Sequence, residues 1–170
     1  MNCDTCQVAM RERKATPTDP YHDDLSGLSN VYLTGITIRF CPQCGVESPL
    51  IPRAEALQRE LARAVVRKPS LLSGEEVRFL RKYAGFPAQQ FAALLGVSPE
   101  HLSRIENGHT SSLGPSTDRL ARAIAIIATD GEEAREVLLR IADQVGKPTK
   151  KHSRAKRVVT LERNRWKAVA

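Results

Sequence analysis

The sequence predicts a small α+β domain followed by an all-α domain of about five helices. Three observations carry this. All four cysteines fall within residues 1–44, as two C-x2-C pairs. The run VYLTGITIRF (31–40) alternates as one or two strands do. From Arg53 onward Ala, Leu, Glu and Arg dominate, punctuated by single glycines. Aromatics make up 5% of the 170 residues, low for an all-β chain.

The elements follow in order. TPTDPYHDDLSG (16–27) is turn-rich and reads as a loop. RAEALQRELARAVVR (53–67) is a helix with Leu57, Leu61 and Ala64 or Val65 on one face. KPSLLSGEE (68–76) is a linker, in which Pro69 ends one helix and Ser73 with Glu76 forms a capping box for the next. Helices are then expected over about 74–84, 87–95, 99–106, 116–129 and 131–145, with Gly85, Gly96, Gly108 and Gly146 as stops. The domains expected are 1–68, 69–146 and a basic, mobile tail over 147–170.

Charge is unevenly placed. The net charge is +7, yet residues 147–170 hold nine basic residues against Glu162 alone, a surplus of eight. The remaining 146 residues sum to −1, so the high pI belongs to the tail. The tail reads either as a DNA-gripping arm or as a disordered terminus; Trp166 within it is a docking residue that argues against pure disorder. No apolar run reaches membrane-spanning length, and the N-terminal MNCDTCQVAMRERK has no secretory h-region. A cytoplasmic location is expected, with no membrane partner.

In a reducing compartment paired C-x2-C knuckles favour a metal over disulfides. Cys3, Cys6, Cys41 and Cys44 use every cysteine, with 34 residues between the pairs. Four thiolates suit tetrahedral zinc. A redox C-x-x-C would call for a βαβ context, which the sequence lacks. Four thiolates leave no open position for water, so a structural zinc, one per chain, is expected rather than a zinc enzyme. The metal compensates for a core too small to fold a domain of about 50 residues alone. His22, His101, His109 and His152 are scattered outside any ligand pattern.

In FPAQQFAALLGVSPEHLSRIENGH (86–109), Phe91, Ala92 and Leu95 face inward from one helix. Gly96 turns the chain, with Val97 buried in the turn; Ser98 caps the next helix and Pro99 opens it. Leu102 and Ile105 pack that helix back, leaving Glu100, His101, Ser103, Arg104 and Asn107 outside. Two short helices joined by a Gly-containing turn form a DNA-reading unit. Gln89, Gln90, Ser98, Glu100, His101, Ser103, Arg104 and Asn107 are the residues expected at the DNA, Arg104 foremost; His101 reads as a base or phosphate contact or as plain surface. Asn107 reads as a helix C-cap or a phosphate ligand.

The stretch LLGVSPEHLSRIENG resembles the helix-turn-helix of the phage-repressor-like (Xre/Cro) family, over about residues 74–128. That resemblance implies that the helix starting near Ser98 enters the major groove, and that Arg81 pairs with Glu106 as a structural contact. Where the family opens its first motif helix with Thr or Ser and then Gln, this chain has Pro87 and Ala88. Gln89 and Gln90 are the substitutes for that phosphate clamp. The cysteine pairs, the helical linker, the helix-turn-helix and PSTDRLAR (115–122) together resemble the MqsA family of type II antitoxins, with a YgiT-type zinc domain. This implies a dimer on a palindromic operator, and a zinc domain (residues 1–67) that grips an mRNA-cleaving toxin. Arg104 falls at the family's base-contacting arginine, and Glu100 replaces its base-contacting Asn, so a different operator is expected.

A sequence-specific repressor and antitoxin, without enzymatic activity, is thus expected. The alternative is a stand-alone zinc-containing regulator with no toxin. Leu120, Ile124, Ile127, Leu138 and Ile141 fill helical apolar faces, part core and part homodimer seam. A two-fold dimer would set its recognition helices about 34 Å apart. If the zinc region binds a partner, Ile36, Ile38 and the strand VYL are where the sequence points.

Overall fold

The computed structural model describes residues 1–110, 112–129 and 156–169. Strands β1 (Arg11–Lys14), β2 (Tyr21–His22), β3 (Val31–Thr34), β4 (Thr37–Phe40) and β5 (Glu47–Leu50) come first. Helices α1 (Ala54–Arg67), α2 (Gly74–Tyr83), α3 (Ala88–Leu95), α4 (Pro99–Glu106) and α5 (Pro115–Thr129) follow. Strands β6 (Arg157–Glu162) and β7 (Arg165–Val169) end the chain. A strand-rich region with the cysteines and then five helices is the expected class. The helix expected over 131–145, with Leu138 and Ile141, lies outside the described residues.

The chain forms two compact units. One comprises residues 1–25 and 30–60 with the C-terminal hairpin; the other comprises residues 26–29 and the chain from Leu61, the division falling inside α1.

The first unit contains two sheets, β1-β4-β5 and β2-β3-β6-β7. VYLTGITIRF therefore supplies two strands to different sheets. Gly35, at φ +80°, turns the chain between them. A Cβ there would stand 2.5 Å from the Leu161 carbonyl oxygen, so the turn also fits against β6 only as glycine. Val31, Leu33, Ile36, Ile38, Leu57, Val159 and Trp166 are buried.

Two expectations are corrected here. The basic tail is not a mobile arm over residues 157–169. β6 lies parallel to β3, with Leu33 opposite Val159, and β7 returns antiparallel through a two-residue turn. Arg163 and Asn164 both take positive φ, as this kind of hairpin turn requires. The Trp166 indole N–H donates to the Pro52 carbonyl at 3.0 Å, which docks the hairpin. The cysteine-bearing unit is therefore not residues 1–68 alone, since its second sheet needs the hairpin. The second correction concerns Ile36 and Ile38. They are 1% and 0% exposed and belong to the core, so they offer no partner surface.

In the second unit α2 packs on α4 and α5, and α3 packs on α4. The capping box forms as expected: the Ser73 hydroxyl accepts from the Glu76 amide, and Glu76 Oε2 accepts from the Ser73 amide at 2.6 Å. Lys68 Nζ also reaches Glu76 Oε2, at 2.5 Å. Gly74, the first residue of α2, touches the end of α4: a Cβ would fall 1.9 Å from the Ile105 carbonyl oxygen. One face of α5 is buried through Ala121, Ala125 and Ile126, and Asp118 and Arg122 lie on that same face. Opposite, Leu120 is 41% and Ile127 63% exposed.

Candidate metal centre and nucleic-acid interface

The cysteines are brought together by strand pairing. A bridge between Asn2 and Ala9 closes the first knuckle, and the chain runs on into β1. β1 pairs with β4, placing Arg11 opposite Phe40, the residue before Cys41. The second knuckle then turns into β5, where Glu47 lies opposite Phe40.

The two knuckles have the same backbone. The Cys3 amide donates to Val8 and the Gln7 amide to Cys3; equally, the Cys41 amide donates to Val46 and the Gly45 amide to Cys41. All four bonds are 2.9–3.0 Å. The residue after the second cysteine is left-handed in both, at φ 58° for Gln7 and 73° for Gly45. Glycine marks that position in one knuckle only, so the sequence shows the turn at Gly45 and conceals it at Gln7.

The four sulfurs lie within 4.8 Å of one another. Cys3 to Cys44 is 3.5 Å, Cys6 to Cys41 is 3.2 Å and Cys6 to Cys44 is 3.7 Å. A tetrahedron with metal–sulfur bonds of about 2.3 Å has edges of about 3.8 Å. The set therefore fits a tetrahedral metal ion such as zinc. The amides of Cys44 and Gln43 bring the Cys41 thiol down to about 6. The amides of Cys6 and Thr5 lower Cys3 in the same way. Cys6, hydrogen-bonded to Cys41, is pushed up to about 12. One thiolate in each knuckle is thus prepared by backbone dipoles, and a cation would hold the other two ionised. With four ligands the shell is complete.

In the second unit α3 ends at Gly96, at φ 67°, with Val97 half-buried behind it. The Ser98 hydroxyl accepts from the His101 amide at 3.1 Å and starts α4, with Pro99 first. Leu102, Ile105 and Glu106 are the buried residues of α4. Arg81 Nε donates to Glu106 Oε1 at 2.7 Å and its other fork nitrogen to Oε2 at 2.8 Å, the anticipated pair. This bidentate contact holds the Arg81 charge more firmly than usual. It fixes the base of α4 against α2.

Outside lie Glu100, Ser103, Arg104 and Asn107, spaced along one helical face, with His101 half-buried beside them. Their hydrogen bonds separate them. Ser98 is engaged in its cap. Asn107 is the C-cap of α4, donating to the Ser103 carbonyl at 2.8 Å and hydroxyl at 3.3 Å, and accepting from Arg78. Arg104 makes no hydrogen bond or ion pair among the described residues. The Glu100 carboxyl is held below its usual range, first by its own amide and then by the Ser98 hydroxyl. Gln89 and Gln90 stand exposed in the first turn of α3, whose N-cap Pro87 offers no capping side chain. The first amides of a helix lack intrahelical partners, and with the two exposed Gln side chains they make this turn suited to phosphate oxygens.

Sequence reasoning missed the buried pair Asp118 and Arg122. Its signal was an acidic and a basic residue four apart on the buried face of α5.

Among the described residues no helix is long and apolar enough to cross a membrane. No curated protein and no solved structure matches the chain. Residues 73–137 match the family model of a helix-turn-helix domain, so the α2–α5 region is a helix-turn-helix domain and supports a DNA-binding regulator.

Proposed function

We propose that the chain is a homodimeric, sequence-specific repressor without enzymatic activity, and the antitoxin of a type II toxin–antitoxin pair. One observation carries the DNA reading: Arg104 projects, exposed and without a hydrogen bond or ion pair among the described residues, from a helix that is capped, buttressed and buried on its other side. An arginine in that position is suited to the O6 and N7 edge of a guanine. Glu100, one turn earlier, is suited to accept from a cytosine amino group and disfavours phosphate. Gln89 and Gln90 supply backbone positioning without sequence information.

The metal in this reading is zinc, one per chain, held by Cys3, Cys6, Cys41 and Cys44. It would tie the two knuckles together and do no chemistry, because four thiolates leave no place for a substrate. Leu120 and Ile127 on α5 supply an apolar seam for a second copy. The antitoxin role is supported by the likeness of the cysteine pairs, the helix-turn-helix and PSTDRLAR to that family. The alternative, a regulator without a toxin, gains from the burial of Ile36 and Ile38, two of the residues first expected to meet one.

Duplexes selected from a random library by the full chain, then titrated with wild type and Arg104→Ala, test the DNA reading. Enrichment of a palindrome that Arg104→Ala no longer prefers is the expected result. No enrichment would end the repressor reading. For the antitoxin, the neighbouring gene is expressed alone and with this chain. Toxicity relieved by co-expression is expected; a harmless neighbour favours the stand-alone regulator.

A further inference from the structure

The C-terminal hairpin holds more positive charge than the described residues around it neutralise. Residues 156–169 contain Lys156, Arg157, Arg163, Arg165 and Lys167 against Glu162 alone. Three of the five are committed. Arg157 donates to Asn30 Oδ1 at 2.8 Å, Lys156 sits 3.9 Å over the Tyr32 ring, and Lys167 pairs with Glu162 at 3.0 Å. Arg163 and Arg165 are exposed and make no side-chain hydrogen bond or ion pair among the described residues. Together with Glu162 and Lys167 they line a cleft of about 580 Å³. Arg53 adds to the charge at the turn, since its fork donates to the Asn164 carbonyl at 3.0 Å, which leaves the cation uncancelled.

These arginines are held in place. Trp166, between Arg165 and Lys167, turns inward and is 5% exposed, so strand alternation turns its two neighbours outward. The result is a hairpin at the edge of a four-stranded sheet, with guanidinium groups at its tip. Arginine forks match phosphate oxygens in pairs, and the hairpin tip, beyond the residues of β6 that pair with β3, is where they stand. An acidic protein partner would call for apolar anchors among the charges. The exposed tip offers none: Glu162, Arg163, Asn164, Arg165 and Lys167 are all polar. Duplex DNA is also the ligand suited to the helix-turn-helix of the same chain, so its local concentration would be high.

We propose that the β6–β7 hairpin is a second, sequence-independent phosphate-binding element that grips the duplex engaged by the helix-turn-helix. This rests on the reading that the chain binds duplex DNA. The full chain and its Arg163→Gln/Arg165→Gln variant are titrated over a salt series. Two probes are used, a duplex selected by the wild-type chain and the same duplex scrambled. Loss of two phosphate contacts per chain, four in the proposed dimer, should make the slope of log affinity against log salt shallower by about 3.6. The ratio of affinities for the two duplexes should stay the same, and Arg163→Lys/Arg165→Lys should keep the slope. Trp166 is the only tryptophan, so its emission reports whether the hairpin stays docked. If the double variant undocks, the single Arg163→Gln substitution is read instead, with an expected change of about 1.8 for the dimer. An unchanged slope with a docked hairpin overturns the proposal while leaving the DNA reading standing, and points to an acidic protein. Failure of the wild-type chain to bind either duplex overturns both.

Discussion

Asp118 and Arg122 form a buried ion pair on α5, Nε to Oδ2 at 2.7 Å, and each also binds the segment that leads from α1 to α2. Arg122 is 3% exposed and donates to the carbonyls of Val66, Lys68 and Ser70, each at 2.7 Å. Asp118 Oδ1 accepts from the Leu72 amide at 2.6 Å. The last turn of α1 and the linker after it thus have backbone groups satisfied by one helix. That matters because buried carbonyls and amides without partners are costly.

Arg122→Ala should therefore destabilise the protein by about 3–5 kcal/mol, since it strands a buried carboxylate and three carbonyls. Replacing Asp118 and Arg122 together by Leu and Met should cost less than the sum of the single changes. Urea denaturation of the single and double variants measures the coupling. Strict additivity would mean the two act separately.

Gly74→Ala should cost about 1–3 kcal/mol, because the new methyl meets the Ile105 carbonyl and α2 must shift from α4. Gly85→Ala meets nothing within 4 Å but sits at φ +77°, so about 1–2 kcal/mol of backbone strain is expected. Only the first should also weaken DNA binding, as it alone displaces the end of α4. Thermal melts and duplex titrations of both variants separate the two effects.

Arg104→Ala should lower binding to a selected duplex by about 1–3 kcal/mol and leave scrambled duplex nearly unchanged. Ala at Gln89 and Gln90 should weaken both duplexes alike. A gel-shift titration in which Arg104→Ala keeps its preference would place the reading face elsewhere.

One metal ion per chain is expected by mass spectrometry under native conditions, and Cys41→Ser should abolish it. Chelation should expose the amides of β1 and β4 to hydrogen exchange while α2–α5 keep their protection. Equal loss in both regions would show that the metal supports the whole fold.

Ile127→Glu should convert a dimer to a monomer, read by sedimentation, without lowering helix content. Ile127 is 63% exposed in the single chain, so the new charge costs the monomer little. A dimer that persists would move the seam off this face of α5.

Much of this was legible in advance because the signals are local. The cysteine spacing, the Ser73–Glu76 box, Gly96 and Ser98–Pro99 each act within a few residues. The ladder of Phe91, Leu95, Leu102 and Ile105 repeats with the helical period. The R-x-E arrangement of Arg104 and Glu106 carried the longer-range pair with Arg81 only through a family likeness. The pairing of β3 with β6 left no such trace. A parallel pair needs a long connection, and here it runs through β4, β5 and helices α1–α5. No window of sequence around RVVTLE shows the strand it will meet.

By itself the sequence determined which residues could hold a metal, where the helices begin and stop, and which face of α4 is polar, because capping, turn chemistry and periodicity are properties of neighbours along the chain. Only the tertiary structure decided that Ile36 and Ile38 are core, that Asp118 and Arg122 bind the linker, and that the basic C-terminus is a docked hairpin. Those outcomes depend on which surfaces meet, and burial is decided by partners tens of residues away.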